Sequence, residues 1–112
     1  MAIKYSEKIF EKVTQVPTED KIISVINAEF LQLVVTGTST SFKIRVYAQM
    51  NNDDDEFFPV AAISDADFMI SSPITKVGLY KVDISCFLRV KIVLEEIQDG
   101  EINCNGQVVS MQ

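Results

Sequence analysis

The chain contains no histidine and no tryptophan, only three prolines, four glycines and two cysteines among its 112 residues, and ten basic against sixteen acidic side chains. Each scarcity excludes something. Without histidine there is no Ser-His-Asp type triad, no imidazole acid or base near neutral pH and no His-bearing zinc site. A formal charge of −6 and a pI near 4.5 oppose the phosphate binding that releases counterions from nucleic acids, so no nucleic-acid partner is expected. No apolar run approaches the roughly 20 residues of a membrane-spanning helix. The charged start, Lys4, Glu7 and Lys8, is unlike the apolar stretch of a secretory signal. The expectation is one domain without a signal peptide, made in the cytoplasm, with no membrane partner.

The two thiols, Cys86 and Cys104, form no CxxC pair and no metal-ligand spacing. If Leu88–Leu94 and Glu101–Val109 made a hairpin around 95–100, Cys104 would lie opposite Ile92 and Cys86 near Ser110. That separation, roughly 20 Å at the strand rise, is too far for a disulfide. Two reduced thiols are expected, Cys104 as a small core side chain.

What the chain has in quantity is alternation. Residues 41–50 place Phe42, Ile44, Val46, Ala48 and Met50 on one face; the same period recurs in Tyr80, Val82 and Ile84, and in Leu88, Val90, Ile92 and Leu94. Ile102, Cys104, Gly106 and Val108 continue it, and in the hairpin just described they would face the same side as Leu94, Ile92, Val90 and Leu88. Turn signals at Thr36-Gly37-Thr38, 51–56, Ser71-Ser72-Pro73, Gly78 and Asp99-Gly100 separate the runs. The pattern predicts an all-β fold: a single antiparallel β-sandwich, jelly-roll or immunoglobulin-like, of about seven or eight strands over residues 21–112. Residues 1–20 are set apart. Ile3, Ile9, Phe10 and Val13, mixed with charges and stopped before Pro17, fit either a short amphipathic helix capped by Ser6 or an extended arm or edge strand.

Candidate chemistry is sparse. Asn51-Asn52-Asp53-Asp54-Asp55-Glu56 is rich in oxygen ligands, but a calcium loop opening at Asp53 would need glycine where Phe58 stands. A solvated loop is the expected reading. Asp65 and Asp67 read as turn formers rather than an acid–base pair, and Thr36–Ser41 leads into a strand, not the helix N-terminus a phosphate loop requires. No catalytic residue, cofactor or metal site is expected. Lys43, Arg45, Lys81, Arg89 and Lys91 have outward parity and offer a mildly basic face to an acidic partner, or simply solubilising charges. Tyr47 shares that parity and is a candidate interface residue. Ile9 and Phe10 are interface candidates if the amino-terminal segment latches onto a neighbour.

One further expectation comes from likeness. The stretch 35–44, then Gly78–Ser85, Leu88–Ile92 and the closing 100–109, resembles a small β-sandwich domain of structural proteins in tailed bacteriophages and prophages of Gram-positive bacteria. About 80 residues share the resemblance. The chain departs from that group at 51–58, where an Asp-Gly turn and a tryptophan are usual, and at Cys86, where a small residue is usual. The resemblance implies a virion component, a head decoration, fibre, tail or baseplate accessory, that touches other virion proteins and itself as a homo-oligomer. It implies no catalytic residue. The alternative is a carbohydrate- or ligand-binding module on the same architecture, for which Tyr47, Phe57 and Phe58 are the available aromatics.

Overall fold

A computed structural model describes residues 2–50 and 56–110, with residues 2–5 described at the level of the backbone. Among the described residues, ten strands and no helix form two antiparallel sheets packed on one core. The strands are β1 (Ala2–Val13), β2 (Lys21–Ser24), β3 (Phe30–Gly37), β4 (Ser41–Gln49), β5 (Phe58–Val60), β6 (Ala62–Ser64), β7 (Ile70–Ser71), β8 (Gly78–Asp83), β9 (Arg89–Gln98) and β10 (Ile102–Ser110). The larger sheet runs β1-β10-β3-β8-β6-β7 and the smaller β2-β9-β4-β5. The count exceeds the expected seven or eight because β2, β5, β6 and β7 have only two to four residues each.

Alternation assigns the faces correctly. Leu31, Leu33, Val35, Tyr80, Val82, Ile102, Cys104 and Val108 from the large sheet meet Phe42, Ile44, Val46, Val90, Ile92 and Leu94 from the small one, all buried. Their burial is the dominant favourable term in folding. Met50 departs from its parity: β4 ends at Gln49, which is buried beside Ala48, and Met50 turns out to solvent.

Strand partners are another matter. β9 and β10 do not form a hairpin; β9 pairs with β2 and β4, whereas β10 pairs with β1 and β3. Asp99-Gly100 carries the chain from one sheet to the other, so the apolar rows of β9 and β10 belong to opposite sheets of one core. Thr36–Thr40 makes the same crossing between β3 and β4. The two corners lock together. Glu101 O accepts from the Thr38 and Ser39 N–H groups at 2.9 and 3.2 Å, Ser39 Oγ donates to Gln98 O at 2.6 Å, and Glu101 N–H donates to Thr38 Oγ1 at 3.2 Å. Gly37 and Gly100 have φ of 138° and 128°. A Cβ on Gly37 would fall on the Glu101 carbonyl, and one on Gly100 would lie 2.7 Å from the Ser39 nitrogen. Only glycine fits both positions.

Of the readings open for the first segment, the edge strand is the one observed: β1 lies at the edge of the large sheet, paired along β10. Its register shifts three times, and the shift between Lys8 and Phe10 makes Ile9 an extra residue. Both Ile9 and Phe10 therefore face inward, 8% and 6% exposed, and are core rather than the interface expected of them. Ile9 is seated over Gly106, where a Cβ would come within 2.9 Å of Ile9 Cδ1. The bulges also explain why a helix fitted the sequence as well. By breaking period two, they place apolar residues at 9, 10 and 13, a spacing that imitates a helix.

Both cysteines are free thiols, Cys86 exposed and Cys104 buried; burial pushes the Cys104 pKa up to about 12.

Candidate protein-contact surfaces

Two surfaces stand out on the completed sandwich, and they are chemically opposite. The first is the outer face of the small sheet. Lys43, Arg45 and Tyr47 project from β4 as their parity requires, beside Glu95, Glu96 and Lys91 on β9. The ladder shifts between Lys43 and Ile44, so that Lys43 pairs with Glu96 while Ile44 pairs with Leu94, leaving Glu95 as the extra residue. This bulge turns both glutamates to the outer face. Glu96 meets Lys43 at 2.8 Å, and Glu95 takes Arg45 Nε at 2.9 Å and the Tyr47 hydroxyl at 3.4 Å. The Lys91 ammonium lies over the Tyr47 and Phe57 rings, 5.4 and 4.7 Å from their centres.

The expected basic face is thus balanced by acids of the neighbouring strand. Lys81 differs in place, not in kind: it lies on the outer face of the large sheet, 4.7 Å over the Phe30 ring. Partly exposed pairs of this sort contribute about 1 kcal/mol or less each. Their effect is to hold Arg45 and Tyr47 in fixed positions, and rigid Tyr and Arg are characteristic anchors of protein contacts. Asn51–Asp55, most of the acidic loop considered for calcium, lie outside the described residues.

The second surface was not anticipated. β6 and β7 form a hairpin at the far edge of the large sheet, closed by the Phe68 N–H on Ser64 O at 2.8 Å and the Ser64 N–H on Met69 O at 2.9 Å. Asp67 serves the turn, its Oδ1 accepting from the Met69 N–H at 3.0 Å, whereas Asp65 Oδ2 accepts from the Gln32 side-chain amide on β3 at 3.3 Å. Phe68 has φ of 57° and is 81% exposed, with Met69 and Ile70 at 63% and 72%. Ile63 is the cross-strand partner of Ile70 and is also exposed. Met69, Ile70 and Val77 line an open cleft of about 660 Å³, which Asp67, Lys76 and buried Tyr80 also border. Tyr80 donates its hydroxyl to Lys76 O at 2.6 Å, and its pKa is raised, first by burial and then by the Asp67 carboxylate. The signal in the sequence was Phe68-Met69-Ile70, three large apolar residues in a row between turn formers.

No protein-family model matches this chain, and neither does any curated protein. Two solved structures share its fold. The SPBc2 prophage-derived protein YomS superposes with a TM-score of 0.81 at 22% identity, over 95% of this chain and 92% of that one. The PBSX exported protein XepA gives the same TM-score at 17% identity, again over 95% of this chain, which spans only 37% of XepA. At these identities the likeness is one of fold.

Proposed function

We propose that the chain is a non-enzymatic structural component of a phage particle, a head decoration, fibre, tail or baseplate accessory, that works through protein–protein contacts with other virion proteins and with its own copies. The observation carrying this reading is the shared fold along nearly the whole of a prophage-derived protein, together with the sequence resemblance to sandwich domains of phage structural proteins. Fold alone does not specify function, so the surfaces matter. A preorganised Arg45-Tyr47-Glu95 cluster and an apolar hairpin both suit protein contact. The absence of histidine agrees with a non-enzymatic role, and the acidic charge agrees with the absence of a nucleic-acid partner.

The carbohydrate-binding alternative gains little from the arrangement. Tyr47, the aromatic best placed for a sugar platform, already carries the Lys91 ammonium over its ring. Mass spectrometry of purified particles tests the proposal. Stoichiometric presence of the chain supports it, and absence from intact particles rejects it.

A further inference from the structure

The β6–β7 hairpin and the segment 72–77 that follows it border the open cleft of about 660 Å³, with Tyr80 also on its wall. Openings of roughly 300–1,000 Å³ are the size in which proteins hold small molecules. Both walls are fixed by the chain itself. On the hairpin side the Asp67 carboxylate holds the Met69 N–H at 3.0 Å, and Ser64 Oγ accepts the Ala66 N–H at 3.3 Å. On the other side Ile74 is buried and exchanges both backbone bonds with Ile44 of β4, at 2.8 and 2.9 Å. The Lys76 carbonyl, two residues on, accepts the Tyr80 hydroxyl at 2.6 Å. Walls already ordered lose little freedom when a ligand arrives.

The lining carries one charge of each sign. Asp67 belongs to the hairpin wall and Lys76 to the other, and no further charged residue borders the cleft among the described residues. The two do not form an ion pair with each other, and the ion pairs of the described residues include neither. The Asp67 carboxylate is near enough to Tyr80 to raise its pKa, second only to burial. Met69, Ile70 and Val77, all exposed, add apolar surface to the same cleft.

This pattern selects by charge. An anion would gain Lys76 but meet Asp67 and a chain of −6, a cation would gain Asp67 but meet Lys76, and a wholly apolar molecule would cover both charges without pairing either. A molecule with a separate ammonium and carboxylate gives each its counterpart, in charge-assisted hydrogen bonds. Being neutral overall, it is not repelled by the acidic chain.

We propose that this cleft binds a small zwitterion with an apolar body, an apolar amino acid or a short peptide with both termini free. Its ammonium meets Asp67, its carboxylate meets Lys76, and its apolar part rests on Met69, Ile70 and Val77. The site is additional to the protein-contact reading and independent of it, because Phe68 does not border the cleft and stays available for such a contact.

Titration of the ¹⁵N-labelled full chain with L-leucine and with leucyl-leucine, up to about 20 mM, reads the site residue by residue. Saturable shifts at the Asp67, Met69, Lys76 and Val77 amides are expected with at least one of the two, and which one saturates tells amino acid from peptide. Acetylating the amine or amidating the carboxylate of that ligand should weaken binding roughly tenfold or more. Asp67→Asn, which keeps an oxygen for the Met69 N–H, should bind the free and acetylated forms alike. Lys76→Met, at an exposed position, should bind the free and amidated forms alike, and it carries the test alone if Asp67→Asn fails to fold. No saturable shift with either ligand, shifts confined to another face, or equal binding of the free and capped forms by the wild type overturns the assignment.

Discussion

Two regions of the sandwich, the corners that join its sheets and the free edge of the large sheet, are built on opposite principles. At the β3–β4 and β9–β10 corners, the Thr38, Ser39 and Glu101 N–H groups, the Thr38 and Ser39 hydroxyls and the Glu101 carbonyl are committed to the chain itself, and two glycines allow the crossings to touch backbone to backbone. At the β6–β7 hairpin the chain makes few demands on itself and exposes Phe68, Met69 and Ile70. The contrast separates residues that specify the fold from residues the fold can do without. Substitutions at the corner should cost stability, and substitutions at the hairpin tip should not.

The largest effect is expected at the corner. Gly100→Ala combines a positive φ with a Cβ against the Ser39 and Thr38 backbone and should cost about 3–5 kcal/mol, measured by denaturant unfolding. Gly37→Ala should be comparably severe. If either is tolerated within about 1 kcal/mol, the corner is not the rigid element described here.

Next comes the core between the two ends. The Cys104 thiol has a folded pKa raised from 9.0 to about 12 by burial. Below pH 9 both states keep the proton; above it the unfolded chain loses the proton first, so stability declines between pH 9 and 12 at up to about 1.4 kcal/mol per pH unit from this group. Cys104→Ala should remove that component of the slope, visible as a smaller fall in melting temperature than the wild type shows over the same window. Native protein should be alkylated at exposed Cys86 and not at Cys104. Gly106→Ala, which presses on Ile9 Cδ1 at 2.9 Å, should cost about 1–3 kcal/mol, and pairing it with Ile9→Val should recover part of the loss by making room.

How far the sequence could be read follows from what alternation encodes. Period two states which face of a strand is buried, and Phe42, Ile44, Val46, Tyr80, Val82, Val90, Ile92, Leu94 and Ile102 all lie where it put them. It does not state which strand lies alongside. β9 and β10 passed as a hairpin because two inward-facing rows look the same whether they are neighbours in one sheet or opposed across a core. Bulges defeat the reading altogether, as at Ile9 and Phe10. Of the residues marked for contact, Lys43, Arg45 and Tyr47 do reach the outer face, but their partners Glu95 and Glu96 depend on the bulge in β9, which has no mark in the sequence. The hairpin carries no such mark, because an apolar triplet between turns has no period and shows its exposure only when the core is seen to be filled by the other strands.

The small-sheet face provides an intermediate test. Glu95→Gln removes the charge that Arg45 and Tyr47 share, yet the Arg45 and Glu95 side chains are each about one-third exposed to water, so the loss should stay below about 1 kcal/mol and shrink further in high salt. A larger loss would mean that the cluster supports the fold rather than only ordering the surface.

The smallest effect is the most discriminating. Phe68→Ser removes an aromatic ring that is 81% exposed, so its unfolding free energy, measured by denaturant titration, should match the wild type within about 0.5 kcal/mol. A larger loss would assign Phe68 to the chain's own fold, and would erase the difference between the hairpin and the corner.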